Sequence, residues 1–221
     1  MKQTFSSIDT VIIGEVHGVV ENVAAVRDTI ELISPHKKIS CVAFEYPREL
    51  LPLFEKALRE NDYVSLVTKK EVKQLLIDGR FSKGHFDLLS EIYNRKVKLL
   101  FIDCLDKKWD YRDRAMFEMV TTARQFLPEN SVILVVVGNL HSAIETEIVQ
   151  GRPYLPLGSH FDHHMLVVSL KYLEGSYLNT TVKTFHTQNK DIAPATQFEA
   201  VSENRIEYSI PFAHPLDIPE V

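Results

Sequence analysis

Apolar and polar positions follow two periods along this chain. Val11–Ile13 ahead of Gly14, Ile39–Glu45 (ISCVAFE), Val97–Asp103 (VKLLFID), the run through Val135–Val137 ahead of Gly138, and Met165–Lys171 (MLVVSLK) are almost continuously apolar. Short Val/Ile/Leu runs of this kind predict strands buried on both faces, as in parallel sheets. Between them the apolar residues fall at helical spacing. Val19, Val23, Val26, Ile30 and Ile33 make one stripe, which Ser34-Pro35 closes. Pro47 is placed to open the next helix, ahead of Leu50, Leu51, Leu53, Phe54 and Leu58. Shorter helices are predicted over Val72 to Ile77 and Phe86 to Tyr93. A longer one spans Tyr111 to Phe126, and a short one follows His141.

Strand and helix thus alternate, which predicts an α/β fold with a mostly parallel central sheet and crossover helices on both faces. After about Gly151 the pattern loosens. Tyr177–Phe185 and Arg205–Ile210 are expected as late strands, with an antiparallel edge near the C-terminus and an irregular tail at Pro211, Pro215 and Pro219. A single domain over 1–221 is expected, because 221 residues suffice for one core and no linker stands out.

The net charge of −5 is spread along the chain, so neither nucleic acid nor a membrane is expected as a partner. No apolar run approaches the roughly 20 residues of a membrane helix. MKQTFSSIDT runs into the first strand without a signal-like apolar stretch, and a cytoplasmic setting is the expectation. Cys41 and Cys104 fit there as reduced core residues.

One phrase is written twice: VIIGEVHG over 11–18 and VVVGNLHS over 135–142. Gly14 and Gly138 are expected to end their strands in sharp turns, with His17 and His141 just beyond. Ligands of open α/β sheets bind at the carboxyl ends of the strands. There the four strands carry Glu15 and His17, Glu45, Asp103, and Asn139 and His141. Ionisable groups are costly to bury unpaired, so this collection predicts a shared polar site. No G-x-G-x-x-G, P-loop or G-x-S-x-G motif is present. Imidazole and carboxylates remain. They suit water activation by His17, oriented by Glu15 or Glu45, or a divalent metal drawn from His17, Glu45 and His141 with Asp103.

Arginine adds a third element. Arg112 and Arg114 (YRDRAM) open the helix after the third strand, and Arg80 lies in IDGRFSKG. Either an anionic substrate or an oxyanion is their target, or they form surface salt bridges, for example with Asp110 or Asp113. His160, Asp162, His163 and His164 read as a surface loop, with His160 able to fold back over the site; His85 reads as a cap or rim contact.

GEVHG, FE at Glu45, DGRFS, FID at Asp103, YRDRAM, GNLHS and PLGSHF together resemble the erythromycin-esterase-like, ChaN-like and TIKI/TraB superfamily, in the family's order over about residues 10 to 165. The resemblance is closest to ChaN-like proteins and implies an α/β fold with its pocket at the strand ends. Family members divide between esterases that use histidine-activated water, metal-dependent proteases and a haem-binding lipoprotein. By match, Glu15 and His17 inherit the base pair and Glu45 the second acid, and Arg112 and His141 the remaining polar positions. The absence of a lipobox weighs against haem uptake, and the short length against the helices that cover a macrolide.

Two functions are therefore expected. The first is a small hydrolase acting on a small-molecule substrate through Glu15, His17, Glu45 and His141, with Arg112, Arg80, Asp103, Asn139 and His160 as substrate contacts. The second is a haem, tetrapyrrole or metal binder in which the histidines are ligands.

Overall fold

Alternation along each strand decides which helix its side chains meet. The computed structural model describes residues 5–104, 108–162, 164–185 and 198–217. The apolar runs form β1 (Thr10–Glu15), β2 (Lys38–Pro47), β3 (Lys98–Asp103) and β4 (Ser131–Gly138). Further along lie a separate hairpin of β5 (Glu147–Val149) and β6 (Arg152–Tyr154), then β7 (Met165–Asn179), β8 (Thr181–Thr184), β9 (Phe198–Ser202) and β10 (Arg205–Ala213). The central sheet runs β3-β2-β4-β1-β7-β10-β9. All neighbours are parallel except β9 on β10, while β8 folds back antiparallel on β7.

The helices are α1 (Asn22–Ile33), α2 (Leu51–Glu60), α3 (Tyr63–Val67), α4 (Lys70–Ile77), α5 (Lys83–Asn94), α6 (Trp109–Arg124) and α7 (Asn139–Ser142). Val11 and Ile13 of β1 pack on one face with Val23, Val26, Phe54 and Leu88. Ile12 between them packs on the other face with Met116 and Val120 of α6. The same alternation divides Leu134 from Val135 in β4 and Val168 from Val167 in β7. Each such buried aliphatic side chain contributes about 1.5–3 kcal/mol. This two-sided burial is why the strands read as continuous apolar runs.

Several boundaries differ from expectation. Val19 lies outside α1 and bridges to Pro215, because the chain first makes the turn that follows His17. Pro47 ends β2 instead of opening a helix; a 3-10 turn over Arg48–Leu50 precedes α2, which carries Pro52 near its start. Tyr177–Phe185 is not one strand. β7 runs to Asn179, turns at Thr180 in the left-handed region (φ 62°) and returns as β8. β10 extends the parallel part of the sheet, and the antiparallel edge is β9. Among the described residues no helix is long and apolar enough to cross a membrane. Cys41 and Cys104 are buried free thiols.

Candidate functional site

β1, β2 and β4 are neighbours in the sheet, so their carboxyl ends bring Glu15, Glu45 and Gly138 together. The turn after β1 is fixed from three sides. Tyr172 Oη accepts from the Val16 N–H at 2.9 Å and donates to Asn22 Oδ1 at 2.7 Å, and Asn22 Nδ2 donates to Val16 O at 2.8 Å. Gly18 (φ 86°) then turns the chain so closely against β7 that a Cβ would lie 1.8 Å from Leu178 O.

Of the two glycines of the doubled phrase, Gly138 ends β4 at the turn into α7 as expected, whereas Gly14 does not end its strand. Gly14 lies inside β1, and a Cβ on it would sit 2.0 Å from Ser142 Oγ. Gly138 lies under His17, where a Cβ would be 3.3 Å from its Nε2 and Cε1. Both admit a close neighbour; Gly18 makes the turn after β1.

Glu45 is the hub. The register of β2 on β3 shifts between Phe44 and Pro47, at the point where Glu45 enters the site. Its Oε1 accepts from Arg112 Nη2 at 2.8 Å and lies 3.4 Å from His141 Nε2. Its Oε2 accepts from the Gly138 N–H at 2.8 Å and faces His17 Nε2 at 3.7 Å. His17 Nε2 is also 4.0 Å from Glu15 Oε1. Glu15 is 4 % exposed, and its other oxygen, Oε2, is buried without a hydrogen-bond partner.

Burial drives the carboxyls apart in acidity. Desolvation, then the neighbouring Glu45 charge, pushes Glu15 up to about 8. Glu45 is equally buried, yet against that desolvation the charges of His141, His17 and Arg112 and the His141 hydrogen bond hold it well below the carboxylate range. Burial lowers His17, more than the Glu45 charge raises it. His141 goes the other way: despite its desolvation, Glu45 and Asp113 lift it to about 10. At neutral pH the cluster therefore holds a protonated Glu15, a neutral His17, an ionised Glu45 and a cationic His141.

Behind the hub lies a second layer. Asp103 is fully buried and accepts from Arg112 Nε at 2.7 Å, Arg112 Nη2 at 2.8 Å and Arg80 Nη1 at 3.0 Å. Arg80 also donates to Asp78 and to the Glu45 carbonyl, so it braces the floor of the site. Arg112 uses Nε and Nη2 in these pairs, leaving Nη1 as its remaining donor group.

Of the expected substrate contacts, Asn139 is exposed and lines a separate cavity with Gly14, Ser142, Ser169 and Arg205. His160 packs its ring on Phe117 of α6, 5.5 Å between centroids. Arg114 is exposed and pairs with Glu118. Ser82 caps α5, and His85 shares a 2.8 Å hydrogen bond with the Ser82 hydroxyl. His163 and His186 lie outside the described residues, while His164 meets the Ser7 carbonyl.

The sequence pointed to neither Tyr154 nor Tyr172, and to Asp113 only as a surface salt-bridge partner. Asp113 sits 2.5 Å from His141 Nδ1, accepts from the Leu157 N–H and takes a short hydrogen bond from Tyr154 Oη. Tyr172 locks the Glu15–His17 turn at Val16 from 156 residues away. Only Asp113 carried a signal, an acid beside Arg112 near the start of a helix that follows a strand end.

The donors suit a three- or four-ligand metal site poorly. Both oxygens of Glu45 and of Asp103 and both ring nitrogens of His141 already face protein partners. That leaves Glu15 and His17, fewer donors than a three- or four-ligand site needs. Among the described residues no three His, Cys, Asp or Glu side chains converge as a ligand set.

Fold and site together define an α/β fold with a buried carboxylate–imidazole–guanidinium network at the carboxyl ends of a mostly parallel sheet. No protein-family model matches the chain, and no curated protein matches it in sequence. Solved structures at TM-scores above 0.5 share its fold. A Bacillus cereus protein is similar over 99% of this chain and 92% of its own, at TM-score 0.65 and 9% identity. The type III effector HopBA1 is similar over 92% and 88%, at 0.51 and 15%. ChaN of Campylobacter jejuni, a structure with cofacial heme binding, is similar over 75% and 82%, at 0.41 and 12%. The toxin effector domain RRSP of Vibrio vulnificus aligns over 74% of this chain at TM-score 0.49 and 15% identity, and the chain spans only 33% of its length.

Proposed function

We propose that this chain is a hydrolase that cleaves an ester or related acyl bond of a small molecule with water activated by His17. The arrangement that carries the reading is two buried carboxyls facing one nitrogen of His17, Nε2. Glu45 Oε2 lies at 3.7 Å, on a carboxylate held ionised by Arg112 and His141. Glu15 Oε1 lies at 4.0 Å, on a carboxyl whose other oxygen has no partner and whose acidity burial lowers. Carboxyls pushed apart in this way supply a charge stabiliser and an acid in one site.

In this reading His17 takes a proton from water as the water oxygen bonds to the acyl carbon. The Glu45 carboxylate stabilises the imidazolium so formed. Glu15 gives its proton to the departing oxygen as the acyl bond breaks, and His17 returns a proton to Glu15. Arg112 Nη1 is the donor for the developing oxyanion, and His141, held by Asp113, keeps Glu45 ionised and in place. The residues are those that carry the resemblance to the erythromycin-esterase-like superfamily. A cytoplasmic setting goes with the two buried free thiols.

The test is hydrolysis of p-nitrophenyl acetate, methyl esters and simple lactones by the wild type, His17→Ala and Glu45→Gln. We expect a loss of roughly 10²- to 10⁴-fold in His17→Ala with thermal unfolding little changed. The rate should rise with pH through an ionisation below the ordinary imidazole value and fall above about 8, where Glu15 loses its proton. Glu15→Gln should remove that falling limb. Lack of hydrolysis by the wild type, with a Soret shift on haemin addition that His17→Ala abolishes, would establish the binding function instead.

A further inference from the structure

The opposite end of the sheet carries a second feature that the proposed chemistry does not use. Between α1 and α5, over the starting ends of β2 and β3, lies a cavity of about 420 Å³. Lys38 and Val42 line it, seven and three residues before Glu45 on β2, so along the strand the cavity lies about 10 to 23 Å from Glu45. Its floor is apolar: Val42, Leu88 and Ile92 are each at most 3% exposed, and the half-buried Ile30 forms a wall.

Its rim is basic. Arg27 is matched by Glu91, which accepts from both its Nε and Nη2 and so clasps α1 to α5. Lys37, Lys38 and Arg95 have no carboxylate partner among the described residues, and Glu31 is the one other acid in the lining. Lys37 instead donates to the Ile8 carbonyl. A net excess of cations thus stands at the mouth of an apolar hollow, in a chain whose net charge is −5.

We infer that this cavity binds a single-chain amphiphile with an anionic head, of the class of a medium-chain fatty carboxylate. The tail would lie along the half-buried Ile30 and Val97, over the closed floor of Val42, Leu88 and Ile92, and the carboxylate would meet Lys38 and Arg95. The volume falls within the usual range of small-molecule sites, and concave apolar lining with a few convergent charges is what such sites share. Charge complementarity selects the sign of the head group.

Isothermal titration calorimetry with sodium decanoate, at concentrations where it is monomeric, tests the inference. One saturable site is expected, with decyltrimethylammonium binding at least tenfold more weakly. Lys38→Glu/Arg95→Glu, both on exposed positions, should weaken decanoate at least tenfold, and Ile30→Trp should fill the cavity and abolish binding. Absence of saturable binding by the wild type overturns the inference. So does equal binding of the cationic and anionic chains, or decanoate affinity unchanged by the charge reversal. If Ile30→Trp unfolds, the charge-reversal variant and the cationic probe decide the matter without it. Hydrolytic activity is not part of this readout.

Discussion

Removing the Asp103 carboxylate should cost stability well beyond what any surface ion pair here can. Asp103 is fully buried and receives three charge-assisted hydrogen bonds, two from Arg112 and one from Arg80. Breaking a buried pair by deleting one partner costs about 3–5 kcal/mol, because the other charge is left buried and uncompensated. Here neither guanidinium is stranded completely. Arg112 keeps Glu45 at 2.8 Å, and Arg80 keeps Asp78 at 2.8 Å. The lower end, about 3 kcal/mol, is therefore expected for Asp103→Ala. At about 2–4 °C per kcal/mol for a chain of this size, the midpoint of thermal unfolding should fall by roughly 6–12 °C. The internal control is Glu118→Ala, which breaks an exposed i,i+4 pair with Arg114 and should cost no more than about 0.5 kcal/mol. Urea and thermal unfolding followed by circular dichroism measure both. Equal losses in the two variants, or a loss below about 1 kcal/mol for Asp103→Ala, would refute the view that the second layer is held by buried charge pairing.

Glu15 makes stability depend on pH. Its folded value of about 8 lies above the ordinary 4.5, so the folded chain holds a proton that the unfolded chain releases. That contribution is complete below about 4.5, declines as pH rises and is gone once pH has passed about 8. Urea unfolding at pH 5 and pH 8.5 should show Glu15→Gln gaining on the wild type at the higher pH; the same difference at both values would contradict the assignment. Gly14→Ala should destabilise by about 1–3 kcal/mol through overpacking, since its Cβ would strike Ser142 Oγ at 2.0 Å and Cβ at 2.7 Å. Because Gly14 is not in the left-handed region, adding Ser142→Gly should restore most of the loss, and a double variant no more stable than Gly14→Ala would show that backbone conformation is the cause.

The central sheet was legible in the sequence because burial on both faces removes polar residues from a strand. ISCVAFE and MLVVSLK had to be apolar whichever helix covered them. The same logic exposed Glu15, Glu45, Asp103 and His141, since charge at the end of such a strand is costly unless something there needs it. Boundaries set by contacts distant in sequence were not legible. β7 outruns its apolar segment because β8 and β10 pair with its polar half through backbone hydrogen bonds that any side chain permits.

Partnership was decided only in three dimensions. Sequence could give Arg112 either a substrate or a salt bridge; the fold brings β2, β3 and α6 together, so that its guanidinium meets Glu45 and Asp103. His17 and His141 share a motif and differ in charge state. His17 turns one nitrogen, Nε2, to both Glu45 and Glu15 at 3.7 and 4.0 Å, whereas His141 is wedged between Glu45 at Nε2 and Asp113 at Nδ1. An amino-acid sequence fixes which groups can ionise. Their acidities depend on desolvation and on charges a few ångströms away, and those distances exist only once the strands have chosen their neighbours.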